Sequence, residues 1–247
     1  MKKTIVLLAG YPATGKSYLC NKILEKLPDF LIVSQDDMKE KLFDQISEAA
    51  YYKTLQRMCE SGELIKIAKG TYHLPKVGKY GIVPPSEKEI IEAFTENETG
   101  TVVGYSLYNV LNLTTQISKT ITVMSSVIEG LTKSIRNVVV YQMPLKFSKE
   151  ITSMIQGLEV LQNFNTIQDI NYSVFIKYTE ELASSFNTNA FEEIISAKAY
   201  KKSTISFLHE ILNHYSVPNN LNEYLSTLSE YKHPKMEELY EAARVSQ

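Results

Sequence analysis

The sequence lacks any strong excess of charge. Its 247 residues carry 26 basic and 28 acidic side chains, a formal net charge of −2. That excludes a whole-surface attraction to nucleic acid, so a DNA contact would have to come from a local basic patch. Cysteine is nearly absent: Cys20 and Cys59 stand alone, with no CxxC pair. A disulfide framework and a paired-cysteine zinc site are thereby disfavoured, and a reducing cytosol is the simplest compartment. Arginine occurs only as Arg57, Arg136 and Arg244, which leaves little with which to surround a phosphoryl group in transfer. Tryptophan is missing, which decides nothing. No run approaches the roughly 18 apolar residues of a membrane helix. The run Ile5 to Ala9 behind Lys2 and Lys3 stops at Gly10-Tyr11-Pro12, short of the core of a signal peptide. The chain therefore reads as cytoplasmic, with no membrane partner.

What is present is the balance of a globular protein, 44% hydrophobic and 22% charged. Residues 4–9 form a buried-strand pattern, followed by a glycine-rich turn, a helical stretch from about Lys16 to Leu27, a second apolar run at residues 30–34, and Asp36-Asp37 opening a helix. This is β-α-β-α grammar. Near Ile46 the character changes. Residues 47–62 read as an amphipathic helix, with Tyr51, Leu55 and Met58 on one face and Gly62 at its end. LIKIAKGTYHLP reads as a hairpin about Lys69-Gly70, ended by Pro75. VGKYGIVPPS reads as a loop, and Ser86 caps a helix over residues 87–96. Residues 101–147 read as mixed, with SLYNVLNL helical and TITVMSS and NVVVYQM as strands. Five helices are expected from Lys149 to the end.

The sharpest motif is Gly10-Tyr-Pro-Ala-Thr-Gly15-Lys16-Ser17, which fits G-x4-G-K-[ST] at every fixed position. Glycines let the backbone curl so that its N–H groups, including those of Ala13 and Thr14, turn towards phosphate oxygens. The following helix adds its positive end. Lys16 would reach the β and γ phosphates and Ser17 would ligate Mg²⁺. This segment resembles small P-loop kinases of the polynucleotide-kinase and zeta-toxin type. The resemblance implies an acidic residue near the substrate at the place held by Asp36; a helix N-cap is the other reading of Asp36-Asp37. The resemblance ends by about residue 45, without further parallel strands, a second acidic magnesium group or lid arginines.

From Ile46 onward the chain resembles the AbiEi-type antitoxins of abortive-infection, type IV toxin–antitoxin systems. The residues that carry it are ISEAAYYKTLQRMCESGELIKIAKGTYHLP, PPSEKEI, GYSLYNVLNLTTQ and AYKKSTISFLHEILN. With Leu55 and Met58 in the core, Tyr52, Lys53, Gln56 and Arg57 lie on the other side, where Arg and Gln suit base edges and Lys and Tyr suit phosphates. Lys66 and Lys69 sit on the hairpin where a wing would touch the backbone. Between Ile46 and Gly81 six basic residues face three acidic ones, a modest patch that an ordinary solvated helix and hairpin would also produce. A winged helix has two helices before its recognition helix; here that space holds the phosphate-loop segment.

The expected fold is α/β: a truncated P-loop β-α-β segment (1–45), a winged-helix remnant (46–82), and an antitoxin-like α+β body ending in helices (83–247). The resemblance implies a DNA-binding antitoxin and autorepressor. Its partners would be operator DNA of its own promoter and a cognate nucleotidyltransferase toxin, with no cofactor required. The alternatives are an ATP- or GTP-binding P-loop protein with Mg²⁺, whose chemistry would be that of a kinase or NTPase, and a gene fusion without function. The sequence does not decide whether the chain is an enzyme and points rather to a binding protein. Lys198, Lys201, Lys202, His209, Glu210 and His214 do not form an HExxH pattern and read as solvent-facing side chains of packed helices.

Overall fold

The computed structural model describes residues 32–34, 48–62, 64–68, 71–73, 75–128 and 130–245. The expected phosphate loop, its flanking strand and helix, and Asp36 lie outside the described residues. The chain divides into two units, residues 1–93 and 94–247, with a mixed α/β content.

In the first unit, strand β1 (Ile32–Ser34) is followed by helix α1 (Glu48–Glu60) and strands β2 (Ile65–Ala68) and β3 (Thr71–His73). Leu55 and Met58 are buried, while Tyr52, Lys53, Gln56 and Arg57 are exposed. The amphipathic reading of α1 is thus seen at both described core positions; the Tyr51 side chain lies outside the described residues. Strand β3 is the middle of a three-stranded antiparallel sheet, β1-β3-β2. Ile32 pairs with His73 and Ser34 with Thr71, while the β2–β3 pairing shifts register between Lys66 and Ala68. Most of residues 77–86, expected as a loop, belongs instead to a second hairpin of β4 (Lys76–Gly78) and β5 (Gly81–Val83). The glycines that suggested a loop flank a two-residue turn, Lys79-Tyr80, and Gly81 supplies a φ of +111°. Helix α2 (Glu87–Thr95) opens on a capping box. The Ser86 hydroxyl accepts from the Glu89 N–H (3.3 Å), and the Glu89 carboxylate accepts from the Ser86 N–H (2.8 Å).

The second unit packs a four-stranded sheet against a helical body. Strands β6 (Gly100–Val103), β7 (Ile121–Ser125), β8 (Thr132–Ile135) and β9 (Val138–Gln142) lie in the order β6-β7-β9-β8. Only β7 and β9 run parallel. β7 and β9 were expected; β6 and β8 were not, because Thr-Lys-Ser-Ile carries little apolar signal. Helix α3 (Tyr105–Val110) is shorter than SLYNVLNL suggested. It stops because the Asn109 side chain donates to the carbonyls of Thr114 and Gln116 (both 2.9 Å) and Asn112 takes a left-handed φ of 56°.

The expected C-terminal helices form α4 (Lys149–Asn163), α5 (Tyr172–Ser184), α6 (Thr188–Ala197), α7 (Lys202–His214) and α8 (Met236–Val245). The side chains of Ser148, Asn171 and Asn187 cap α4, α5 and α6. Helix α4 buries Ile151, Met154, Ile155, Leu158 and Leu161. Beside it Phe164, Phe175 and Phe207 form an aromatic cluster with centroids 4.7 to 6.2 Å apart. Among the described residues no helix is long and apolar enough to cross a membrane.

Candidate nucleic-acid interface

Among the described residues, α1 and the β2–β3 hairpin expose the basic side chains Lys53, Arg57 and Lys66. Gly62, at φ +78°, ends α1. The N–H groups of Ser61, Gly62 and Leu64 donate back to the carbonyls of Arg57, Cys59 and Met58 at 2.9, 3.2 and 3.1 Å. Those bonds satisfy carbonyls of the last helical turn and aim the chain directly into β2. Leu64 is buried beneath, and Tyr72 on β3 is 6% exposed. Burial pushes the Tyr72 hydroxyl above its usual range, with Cys59 and Tyr52 adding to the shift. Burial also raises the Cys59 thiol, which the Lys66 charge and its backbone N–H partly offset. The side chains of Tyr52, Cys59 and Tyr72, together with Lys66, thus share one locus.

On the outer face Lys53 and Arg57 are four residues apart and both exposed, so they form one stripe along the helix. Arg57 lies in the last turn, where the helix dipole favours its charge. Gln56 is already engaged, its Nε2 donating to Glu60 Oε1 at 2.8 Å. A base contact by Gln56 would have to displace that bond. Lys66 is exposed on β2. Of the six residues expected on this surface, Tyr52, Lys53, Gln56, Arg57 and Lys66 are brought to the helix and hairpin as expected. Lys69 lies outside the described residues, as do Gly10, Ala13, Thr14, Gly15, Lys16, Ser17 and Asp36.

Sequence reasoning missed the tip of the β4–β5 hairpin. Tyr80 is 94% exposed, with Lys79 Nζ 5.6 Å from its ring centroid. A cation beside a bare aromatic ring is a combination suited to a phosphate and a base face. The signal was the spacing Gly78-Lys79-Tyr80-Gly81, a two-residue turn between strands.

The segment GYSLYNVLNLTTQ has a different role. Gly104 precedes α3 at φ +68° and ψ −153°, a conformation closed to other residues. Tyr105 donates to the Thr166 carbonyl (3.0 Å), Thr114 to the Gln168 carbonyl (2.6 Å), and Gln116 to the Asp169 carboxylate (2.5 Å). These bonds tie α3 to the turn after α4, so the segment is a clamp. His209 shares a contact with Asn213 at 3.1 Å, and His214 packs against Tyr215 and Tyr240. Among the described residues no group of three His, Cys, Asp or Glu side chains could hold a metal ion.

Fold and surface together define a two-unit α/β protein that presents Lys53 and Arg57 on one exposed helix face and Lys66 on a hairpin. Residues 5–164 match a family of unknown function, DUF6088, and the chain belongs to that family. The matched residues begin before Ile46 and end well beyond it. Among solved structures the chain is similar to the RV2827C protein from Mycobacterium tuberculosis, at 12% identity over 94% of this chain and 87% of that one, with a TM-score of 0.41. A likeness at that level carries no argument. No curated protein matches the chain.

Proposed function

We propose that the protein is a DNA-binding antitoxin and autorepressor of a type IV toxin–antitoxin system, with β1, α1 and the β2–β3 hairpin acting as a winged helix. The observation that carries this reading is the division of α1, Leu55 and Met58 inward and Lys53 and Arg57 outward, beside Lys66 on the hairpin. The resemblance to AbiEi-type antitoxins supports the same reading. It adds the partners: operator DNA of its own promoter and a cognate nucleotidyltransferase toxin.

Arg57 is suited to bidentate pairing with a guanine edge, and Lys53 and Lys66 to phosphates on either side. Electrophoretic mobility shift with the protein's own promoter over a salt series tests it. Tight, salt-dependent binding that weakens in the double variant Lys53→Ala, Arg57→Ala is expected. No shift at low salt would sink the reading.

The motif Gly10 to Ser17 favours a second activity, binding of ATP or GTP with Mg²⁺. Nucleotide titration of the wild type against Lys16→Ala tests it separately; equal affinities would remove the motif from consideration.

A further inference from the structure

We infer that the β4–β5 hairpin is a second DNA-contacting arm, in which the Tyr80 ring packs against sugars and base faces while Lys79 meets a phosphate. The inference rests on the DNA-binding reading of α1 proposed above and adds a contact which that reading does not contain. The turn leaves its tip free to carry any side chain. Gly81 takes the left-handed conformation, at φ +111°, and neither Lys79 nor Tyr80 has a positive φ. The two tip positions therefore need none of the Asn, Asp or Gly that tight hairpin turns select. They hold instead an exposed cation and an aromatic ring that is 94% exposed.

The base of the arm is fixed. Strands β4 and β5 pair from Lys76–Val83 to Gly78–Gly81. The Nε2 of the buried His73, on β3, lies 3.4 Å from the Val83 carbonyl oxygen. Pro84 and Pro85 then lead stiffly into the capped start of α2. The paired strands carry the tip about 10 Å beyond this base.

Charge selects the partner. Residues 64–85, which span both hairpins, hold Lys66, Lys69, Lys76 and Lys79 and no acidic residue, in a chain of net charge −2. Lys79 makes no ion pair among the described residues. Its Nζ stands 5.6 Å from the Tyr80 ring centroid, so ammonium and ring reach out together. A polyanion that offers phosphates beside flat apolar faces is nucleic acid. Docking on an anionic membrane takes a broad apolar face, whereas this tip offers the Tyr80 ring alone.

The chain has no tryptophan, so Tyr80→Trp places a single indole at the tip of the full chain. Titration with a duplex of the protein's own promoter at low salt should quench that fluorescence saturably and shield the indole from acrylamide. In mobility shift, Tyr80→Ser should weaken binding about tenfold, and Lys79→Ala should lower the salt slope by about one unit. Both variants should keep the wild-type thermal midpoint, since both side chains are exposed. Promoter binding that leaves the indole as open to acrylamide as in the free protein overturns the arm and leaves the reading of α1 standing. So does an affinity untouched by Tyr80→Ser. Absence of promoter binding by the wild type overturns both. Quenching by phosphatidylglycerol vesicles that equals or exceeds quenching by the duplex marks a membrane-facing tip and overturns the inference as well.

Discussion

Lys198 and Glu159 are the pair on which a single-residue change weighs most. Glu159 sits inside α4 with its side chain 9% exposed, and Lys198 at the end of α6 reaches it. Burying the Glu159 charge is costly, and the half-buried Lys198 offsets that cost only while both are present. Lys198→Met leaves a carboxylate buried without its cation, and urea denaturation should show a loss of about 3 kcal/mol. Adding Glu159→Leu should recover much of that loss, because the orphaned charge is then gone. A double variant as unstable as the single one would contradict this account. If the proposed DNA-binding reading of α1 holds, Lys53→Ala should weaken binding evenly across sequences and lower the salt slope by about one unit, whereas Arg57→Ala should cost about 1–3 kcal/mol and relax specificity at one base. Competition with mutated operators separates the two.

At the scale of elements, α4 and α5 approach closely at Gly157, so a side chain there must displace Leu182. A Cβ there would lie 2.5 Å from Leu182 Cδ1. Alanine would add up to about 1 kcal/mol of helix propensity, but the buried Leu182 has little room to yield, and overpacking costs about 1–3 kcal/mol. Gly157→Ala should therefore lower the melting temperature. With Leu182→Ala the two losses should fall short of additive in a double-mutant cycle; strict additivity would mean that the helices do not meet there. Such contacts were invisible in the sequence, which places Gly157 on a helix without saying what crosses it.

The helices themselves were legible, because α1 and α4 to α8 carry strong periodicity and Ser86 and Gly62 mark ends of α2 and α1; the caps Ser148, Asn171 and Asn187 came from the structure. The short strands β6 and β8 were not. Their residues alternate weakly, and pairing with strands far along the chain decides their state. The β4–β5 hairpin was misread because glycine signals both loops and tight turns. Of the candidate surface, the stripe Lys53 and Arg57 followed from spacing alone. The engagement of Gln56 by Glu60 and the exposed Tyr80 needed coordinates.

For the molecule as a whole, alkaline pH should be destabilising. Tyr215 is pushed up to about 12, chiefly by burial, with Tyr240 adding and Thr179 opposing. Tyr108 and Tyr200 are raised further by burial and by Glu159. In the unfolded chain all three ionise near pH 10. Because the folded values are the higher ones, their contribution is complete below pH 10 and is lost as pH rises from 10 through about 12. The urea midpoint should fall between pH 9 and 11; a constant midpoint would mean that these hydroxyls are not buried as described.

The change of character near Ile46 suggests two joined pieces, yet Ile32–Ser34 on one side of it is bonded to Thr71–His73 on the other. The seam in composition is therefore not a seam in the backbone. Recombination that exchanged the first 45 residues would have to bring a replacement edge strand. A clone begun at Ile46 would leave the outer N–H and C=O groups of the central strand β3 open, a template for chain-to-chain pairing and insolubility.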